Sequence, residues 1–316
     1  MKIIEHLETL PNELRGNYMT IGKFDGVHRG HARILQRLTA LAHENHSPSI
    51  VFTFDPLPVE MIRPHLAPPL LCTKKQKIEL ISRFEPDALF IYPTNSKLLN
   101  LSAQDFFEKI VLEIFGSKGL VEGKDFNFGK NRDGNANILQ QLCSKTKIDL
   151  EIISPFQALG RDISSSRIRS LIHEGQIEAA RGMLGRPYQI RGHVVHGEHR
   201  GRRLGYPTAN LSGIQTILPK PGIYAAITHF ENESFITAVN LGGNPTFGVQ
   251  TIKFEANLFQ FQGDLYGKFL DIDFISRIRD VIRFESKEAL LQQIDQDRQM
   301  IEKVANEYRK NNPLFK

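Results

Sequence analysis

The sequence contains no tryptophan and only two cysteines, Cys72 and Cys143, which lie far apart. Isolated cysteines form neither a zinc-binding pair nor a C-x-x-C redox motif, and so few of them are typical of a reducing compartment. The N-terminal segment MKIIEHLETLPNEL also lacks the apolar run of a signal peptide or a membrane span. These absences predict a cytoplasmic protein with no disulfide framework and no membrane partner.

Both common nucleotide-binding fingerprints are missing as well. The segment GLVEGKD (119–125) has the wrong glycine spacing for a P-loop and an aspartate where that motif needs a hydroxyl. No G-x-G-x-x-G motif follows the first predicted strand, residues 17–21. Any nucleotide must therefore be held by another kind of motif.

The charge balance is mildly basic, with 40 lysines and arginines against 35 aspartates and glutamates. Such an excess suits nucleic acid or small substrates that bear phosphate. The basic residues are spread along the chain apart from HRGRR (199–203), and no recognisable nucleic-acid motif accompanies them. We therefore predict small phosphate-bearing substrates and no nucleic-acid partner.

The residue pattern divides the chain into two predicted domains, residues 1–184 and 186–316. In the first, short apolar runs alternate with helical patterns, which predicts an α/β domain with a mostly parallel sheet. In the second, strands punctuated by glycine and proline precede one helix, which predicts a small antiparallel β-barrel closed by a C-terminal helix. Ser286 is the predicted N-cap of that helix. Its predicted buried stripe is Leu290, Ile294, Ile301 and Val304.

The segment GKFDGVHRGH (22–31) joins a strand-like run to a helix-like run. A helix start presents unpaired backbone N–H groups and partial positive charge to an anion. His28 and His31 lie on one helical face, and Gly30 between them lets a phosphate approach the backbone. Two imidazoles there can stabilise the charge that develops as pyrophosphate leaves. The alternative interpretation is two solvent-exposed histidines beside an ordinary glycine turn.

A second segment, ISSSRIRSLIHEG (163–175), opens another helix after the last predicted strand of the first domain. Ser164 or Ser165 can cap this helix and face an anion. Arg167 can clamp phosphate oxygens with its planar guanidinium. The alternative is a serine-capped helix with surface arginines.

Together these two segments resemble the nucleotidyltransferase superfamily, and nearly the whole chain resembles the prokaryotic bifunctional riboflavin kinase/FMN adenylyltransferases. The resemblance implies an enzyme that phosphorylates riboflavin with MgATP and then transfers AMP from a second ATP to FMN, giving FAD and pyrophosphate. It assigns adenylyl transfer to residues 1–184 and the kinase to residues 186–316. The other matching segments are FTFDP (52–56), EGKDFNFGKNRDG (122–134), LGRPYQIRGHVVHGEHRGRRLGYPTANL (184–211), NLGGNPTFG (240–248), FEANLFQFQGDLYG (254–267) and RIRDVIRF (277–284).

For adenylyl transfer, the resemblance implies that His28 and His31 are catalytic. It also implies two groups of binding residues. The ATP-binding group in this domain is Gly22, Lys23, Phe24, Asp25, Gly30, Ser164, Ser165 and Arg167. The flavin-binding group in this domain is Asp125, Phe126 and Phe128, and Arg279 in the second predicted domain is a further expected flavin contact.

For the kinase, Thr208 and Asn210 stand two apart in GYPTAN, on one side of the chain if that segment is extended. Their hydroxyl and amide oxygens are hard ligands suited to Mg²⁺ that bridges ATP phosphates, and the resemblance gives them that role. It also makes Glu255 the base that accepts the riboflavin hydroxyl proton. Gly201 and Arg202 would belong to a glycine-rich flap over the ATP phosphates.

A zinc site is the competing interpretation for His193, His196 and His199. An extended strand does not direct all three side chains the same way, and no cysteine or carboxylate set completes a tetrahedron. We therefore do not predict zinc.

Several positions depart from the family pattern. Lys23 stands where asparagine is common, Leu57 replaces a frequent histidine, and Asn257 and Gln260 stand where histidine and aspartate are common. The departures at Lys23 and Leu57 motivate one alternative, a riboflavin kinase whose first domain has lost useful adenylylation. An alternative of a different class is a flavin- and ATP-binding regulatory module without turnover.

Overall fold

The structure is a computed structural model that describes residues 1–6, 10–158, 160–197, 205–243 and 252–312. The chain forms two compact units. The first comprises Met1–Pro68 and Thr73–Ser165, and the second comprises Pro69–Cys72 and Ser166–Lys316. No helix in the described ranges is long and apolar enough to cross a membrane.

The first unit is built on a six-stranded sheet in which every neighbouring pair is parallel. Its order is β1-β4-β3-β2-β5-β8. The strands are β1 (Lys2–Ile4), β2 (Tyr18–Ile21), β3 (Ser49–Asp55), β4 (Ala88–Pro93), β5 (Gly119–Gly123) and β8 (Asp149–Ile153). This confirms the predicted parallel sheet. The order switches direction between β2 and β5, so the crevice beyond their carboxyl ends is the expected ligand position.

Helices and short strands complete this unit. The helices are α1 (Arg29–Glu44), α2 (Pro58–Ile62), α3 (Lys74–Ser82), α4 (Ser96–Leu99), α5 (Ala103–Phe106), which continues as a π-helix (Phe107–Ile114), and α6 (Ala136–Thr146). The short strands are β6 (Asn127–Phe128), β7 (Gly134–Asn135), β9 (Gln157–Ala158) and β10 (Arg161–Asp162). Apolar clusters cover both sheet faces: one contains Met19 and Phe107, the other Tyr18 and Leu38.

The second unit is a closed six-stranded barrel whose neighbouring strands are antiparallel, as predicted. Its order is β11-β12-β15-β14-β13-β16. The strands are β11 (Tyr188–Val195), β12 (Ala209–Ser212), β13 (Gly222–Phe230), β14 (Glu233–Gly243), β15 (Ile252–Leu258) and β16 (Phe269–Arg279). The helices are α7 (Ser165–His173), α8 (Ile177–Leu184) and α9 (Lys287–Asn311).

The C-terminal helix α9 begins as predicted, but only Ile301 of its predicted stripe is fully buried. The Ser286 hydroxyl accepts a hydrogen bond from the Ala289 N–H at 3.1 Å, which confirms the N-cap. The buried residues are Asp297, Ile301, Ala305 and Tyr308, whereas Leu290, Ile294 and Val304 are only half-buried. Asp297 can be buried because the Arg279 guanidinium binds its carboxylate at 2.6 Å.

The division between the units falls between Ser165 and Ser166, earlier than the sequence pattern suggested. The helices α7 and α8 belong almost entirely to the barrel unit, where Arg181 donates to the Ile275 carbonyl at 3.3 Å. The segment Pro69–Cys72 also joins that unit, because Leu70 pairs with Thr216. The predicted boundary at residues 184–186 stays a prediction, and these contacts favour an earlier one.

A barrel fragment that starts at residue 166 is expected to be clearly more stable than one that starts at residue 186. The shorter fragment loses the apolar side chains that α7 and α8 bury, among them Ile168, Ile172 and Met183. Each such side chain is worth about 1.5–3 kcal/mol, against a total stability of about 5–15 kcal/mol. Thermal unfolding followed by circular dichroism measures the difference. Equal Tm values would show that the two helices do not stabilise the barrel.

Candidate active sites

The turn between β2 and α1 is organised by His28, the N-cap residue of α1. Its backbone is extended, and its ring Nδ1 accepts a hydrogen bond from the His31 N–H at 3.3 Å. An accepting nitrogen carries no proton, so the neutral ring of His28 carries its proton on Nε2. The sequence therefore places an imidazole, not the usual serine or aspartate, at this helix start.

The structure brings the two predicted histidines together. Their rings stack with centroids 3.7 Å apart and an interplanar angle of 13°, and Phe24 packs edge-on against His31 at 5.1 Å. A Cβ added at Gly30 would lie 3.2 Å from both Cε1 and Nδ1 of His28. Gly30 therefore makes room for the His28 ring. This explanation for a glycine at residue 30 differs from the predicted one, which was the close approach of a phosphate.

The turn itself is held in an uncommon backbone conformation by the core. Phe24 and Val27 adopt positive φ angles of 47° and 36°, in the region that side chains other than glycine rarely occupy. Both side chains are buried in the cluster that contains Leu38. Such strain costs on the order of 1–3 kcal/mol per residue and persists only where packing fixes it. Lys23 is exposed, whereas the Asp25 side chain is buried.

The second predicted segment meets this turn. The Ser165 hydroxyl donates a hydrogen bond to the Asp25 carbonyl at 2.9 Å, across most of the length of the first unit's chain. Ser164 directly precedes α7, and Arg167 lies in the first turn of that helix. The serine hydroxyl therefore ties together two segments that the sequence alone places far apart.

The predicted flavin segment follows β5, the neighbour of β2 at the switch point of the sheet. Asp125 is exposed and Phe126 is half-buried, whereas Phe128 is a core residue. The rings of Phe126 and Phe128 stack at 5.2 Å, and Phe128 packs against Phe106 at 6.0 Å. The segment is thus anchored through Phe128 and leaves Asp125 accessible to a ligand.

On the barrel, three adjacent strands bring Asn210, Glu255 and Asn240 side by side. Asn210 of β12 pairs with Glu255 of β15, which in turn pairs with Asn240 of β14. The Asn240 Nδ2 donates to the Glu255 Oε2 at 3.3 Å. The residues beside Glu255 on β15, Phe254 and Ala256, are buried, so the Glu255 carboxylate lies on the opposite strand face.

Gly197 leaves space for the Asn210 side chain. A Cβ at Gly197 would lie 2.1 Å from the Asn210 Nδ2, closer than any real contact. Thr208 immediately precedes β12 and is half-buried, like Asn210. Gly201 and Arg202, the predicted flap residues, lie outside the described residues.

The chain on either side of Thr208 is held by two contacts that the sequence did not reveal. The Tyr206 hydroxyl donates to Asp295 of α9 at 2.6 Å, and this hydrogen bond raises the pKa of Tyr206. The Asn257 Nδ2 donates to the Pro207 carbonyl at 2.6 Å. Asn257, which departs from the family pattern, therefore has a structural partner here.

Arg279, predicted to bind flavin, is engaged by its own unit. Its Nε lies 2.9 Å from the Asp297 Oδ1, its Nη2 lies 2.6 Å from Oδ2, and its Nη1 donates to the Asp280 carbonyl at 2.8 Å. This bidentate pairing anchors α9 to β16. The role of Arg279 toward flavin stays a prediction.

The histidines of the zinc alternative pack against aromatic rings. His196 stacks on Tyr266 at 4.0 Å, and His193 lies 6.0 Å from Phe269. His199 lies outside the described residues. In the part of the chain that the structure describes, no three His, Cys, Asp or Glu side chains cluster as metal ligands.

Two residues near these sites escaped the sequence analysis. Asn240 alternates with buried Val239 and Leu241, a period that marks it as facing away from the barrel interior. Glu122 has a buried carboxyl group near the end of β5. The apolar residues that precede it in the sequence do not indicate why an acid stands there.

Comparisons with known proteins identify two families along the chain. The family model described as FAD synthetase matches residues 10–167, and the model described as riboflavin kinase matches residues 184–305. The bifunctional riboflavin kinase/FMN adenylyltransferase of Buchnera aphidicola (subsp. Acyrthosiphon pisum) is 35% identical over 309 residues, which are 97% of this chain and 99% of that protein. The protein of the same name from Pseudomonas fluorescens is 35% identical, covering 94% and 96%.

A solved structure also resembles the chain. The crystal structure titled macrolide-efflux protein from Streptococcus pneumoniae matches with a TM-score of 0.85 and 28% identity, covering 95% of this chain and 98% of that one.

Proposed function

The chain belongs to the family of the bifunctional riboflavin kinase/FMN adenylyltransferases, and we propose how its residues divide the two reactions. The enzyme phosphorylates riboflavin with ATP to give FMN, and adenylylates FMN with ATP to give FAD and pyrophosphate. Its substrates are therefore riboflavin, FMN and ATP. We propose that it acts in the cytoplasm and has no nucleic-acid partner.

In the first unit, we propose that the turn after β2 binds the ATP triphosphate. Support comes from the hydrogen bond between Ser165 and Asp25, which joins the two segments expected to contact phosphate. The helix start supplies backbone donors, and the stacked rings of His28 and His31 supply imidazole donors. These donors stabilise negative charge as the bond between the α- and β-phosphates breaks. The other proposed ATP contacts are Gly22, Lys23, Phe24, Gly30, Ser164 and Arg167.

The FMN phosphate must reach the α-phosphorus of ATP. We propose that FMN binds along Asp125, Phe126 and Phe128, because this segment leaves β5 next to the turn that leaves β2. Parallel strands present their carboxyl ends at one edge, so the two substrates meet there. The half-buried Phe126 offers apolar surface to a flavin ring, and Phe128 fixes the segment to the core.

In the barrel unit, we propose that Glu255 accepts the proton of the riboflavin 5′-hydroxyl as that oxygen attacks the γ-phosphorus of ATP. The amide of Asn240 orients the carboxylate through its 3.3 Å hydrogen bond. Positioning and charge stabilisation dominate phosphoryl transfer, so an oriented acceptor for the nucleophile's proton suits this reaction. The proposed kinase contacts to ATP and flavin are Gly201, Arg202 and Arg279.

The donor set near Glu255 fits a magnesium ion. The Thr208 hydroxyl and the Asn210 carbonyl oxygen are hard ligands, and Gly197 leaves the space that the Asn210 side chain needs. We propose that Thr208 and Asn210 hold Mg²⁺, which when bound neutralises charge on the ATP phosphates. Tyr206 and Asn257 keep the Thr208 segment in place through their hydrogen bonds to Asp295 and Pro207.

One incubation tests both halves of the proposal. The full chain with riboflavin, ATP and Mg²⁺ is expected to give FMN and then FAD, separated by chromatography. Omission of Mg²⁺, with a chelator present, is expected to stop FMN formation. FMN without FAD would show that the first unit is degenerate, and no product would contradict both activities.

A further inference from the structure

Glu122 is an acid in the interior of the first unit. Only 2% of its surface is exposed. Leu120, two residues earlier on β5, belongs to the apolar cluster that contains Met19 and Phe107, so the Glu122 side chain points to that same sheet face. Buried carboxyl groups are rare because burial removes the hydration of a charge. An acid retained here therefore requires a reason.

The reason that the geometry offers is the end of β2. The Glu122 Oε1 accepts a hydrogen bond from the Ile21 N–H at 2.7 Å. The ladder between β2 and β5 ends at the pair Met19–Leu120, so the carboxyl supplies the acceptor where the two strands separate. On the other side, the Gly22 N–H donates to the Phe52 carbonyl at 3.0 Å. The strand that feeds the proposed ATP turn is thus fixed from both sides.

The surroundings of Glu122 favour its neutral form. Burial raises the pKa of its carboxyl well above the usual range, the nearby Asp125 charge raises it further, and only the Ile21 hydrogen bond lowers it. On α6, the facing titratable group is the Cys143 thiol, whose own pKa burial raises to about 12. The residues of the helix over 103–114 that pack on the same cluster are apolar.

We propose that Glu122, as a neutral carboxylic acid, is a positioning residue for adenylyl transfer that fixes the end of β2 and hence the turn that binds ATP. This inference rests on the proposed function of that turn. When Glu122 loses its proton, a buried carboxylate stands beside the Asp125 charge. Local opening to water relieves that cost, and the opening displaces both Ile21 and the flavin segment.

The pH dependence of FMN adenylylation tests the proposal. As pH rises into the alkaline range, the wild type is expected to lose kcat/KM for ATP because Glu122 ionises. Glu122→Gln is expected to keep its activity there, because the amide cannot ionise and its oxygen still accepts from Ile21. Glu113→Gln, an exposed position in the same unit, is the matched control and should retain the wild-type profile.

Stability supplies a second measurement that does not need turnover. Because the folded-state pKa of Glu122 is raised, its stabilising contribution is full below the unfolded pKa and is lost as pH rises through the folded value. The Tm of Glu122→Gln should therefore exceed that of the wild type by an amount that grows with pH. Glu122→Leu, which also cannot ionise but leaves Ile21 without its acceptor, should have a raised KM for ATP at every pH.

If the wild type is active and a folded Glu122 variant loses activity at alkaline pH to the same extent, the inference is overturned and the proposed function is left intact. A wild type that adenylylates no FMN at any pH would overturn both. A Tm difference between Glu122→Gln and the wild type that does not change with pH would show that the acid is not neutral in the folded protein, and would also overturn it.

Discussion

Glu255→Gln is expected to make almost no FMN from riboflavin and yet to convert added FMN to FAD. The amide keeps the shape of the carboxylate and can keep contact with Asn240, but it cannot accept the proton of the riboflavin hydroxyl. Loss of such a base costs roughly 10²–10⁴ in kcat. Initial rates of each step, with riboflavin or FMN as the starting flavin, measure the two activities separately.

The control for this variant is Glu233→Gln. Glu233 is the first residue of β14 on the same barrel, is exposed and lies outside the proposed site. Its replacement by glutamine removes one negative charge, as Glu255→Gln does. It should leave both rates unchanged. A Glu255→Gln enzyme that is folded but has lost FMN adenylylation would show that the two reactions do not use separate sites.

The sequence predicted the framework of both sites because alternation and strand-helix order are local signals. The predicted strand at residues 17–21 is strand β2, and GKFDGVHRGH forms the turn between this strand and helix α1. Asn210 and Glu255 are paired residues on the neighbouring strands β12 and β15. The family resemblance implied that the two belong to one site but did not imply this pairing.

What the sequence could not predict depends on partners distant in the chain. The sequence gives no reason for Asp297 of helix α9 to be buried. Its burial is explained by the Arg279 guanidinium, which lies at the end of strand β16. The burial of Glu122 is likewise explained only by its hydrogen bond with Ile21, a residue on the neighbouring strand. The residue pattern of one segment does not show which residue of a distant segment will pair with a buried charge.

The predicted boundary at residues 184–186 rests on a local signal, which does not show what a helix packs against. The sequence changes character near Gly185, where strands replace helices, and this change is the basis of the predicted boundary. Helices α7 and α8 nevertheless bury their apolar faces within the barrel unit. An amphipathic helix shows which of its faces is buried and does not show what buries it.

Replacement of His28 or His31 by alanine is expected to yield an enzyme that accumulates FMN and makes little FAD. The two stacked imidazoles are proposed to bind charge that grows on the departing pyrophosphate, an interaction stronger in the transition state than in the ground state. Removal of one such donor costs on the order of 10²–10³ in kcat. The riboflavin kinase rate, measured on the same preparation, should remain at the wild-type value.

His28 has a structural role besides the proposed catalytic one, and a second variant separates the two roles. Its ring also caps α1 through the His31 N–H, and loss of an N-cap costs about 0.5–2 kcal/mol of stability. His28→Asn keeps an N-cap acceptor, since asparagine is among the best N-cap residues, but it removes the imidazole. It should therefore restore the Tm lost in His28→Ala without restoring FAD formation. If His28→Asn regained full adenylylation, the ring would serve only to start the helix, and the stabilisation of pyrophosphate would have to come from His31 and the backbone N–H groups of the turn.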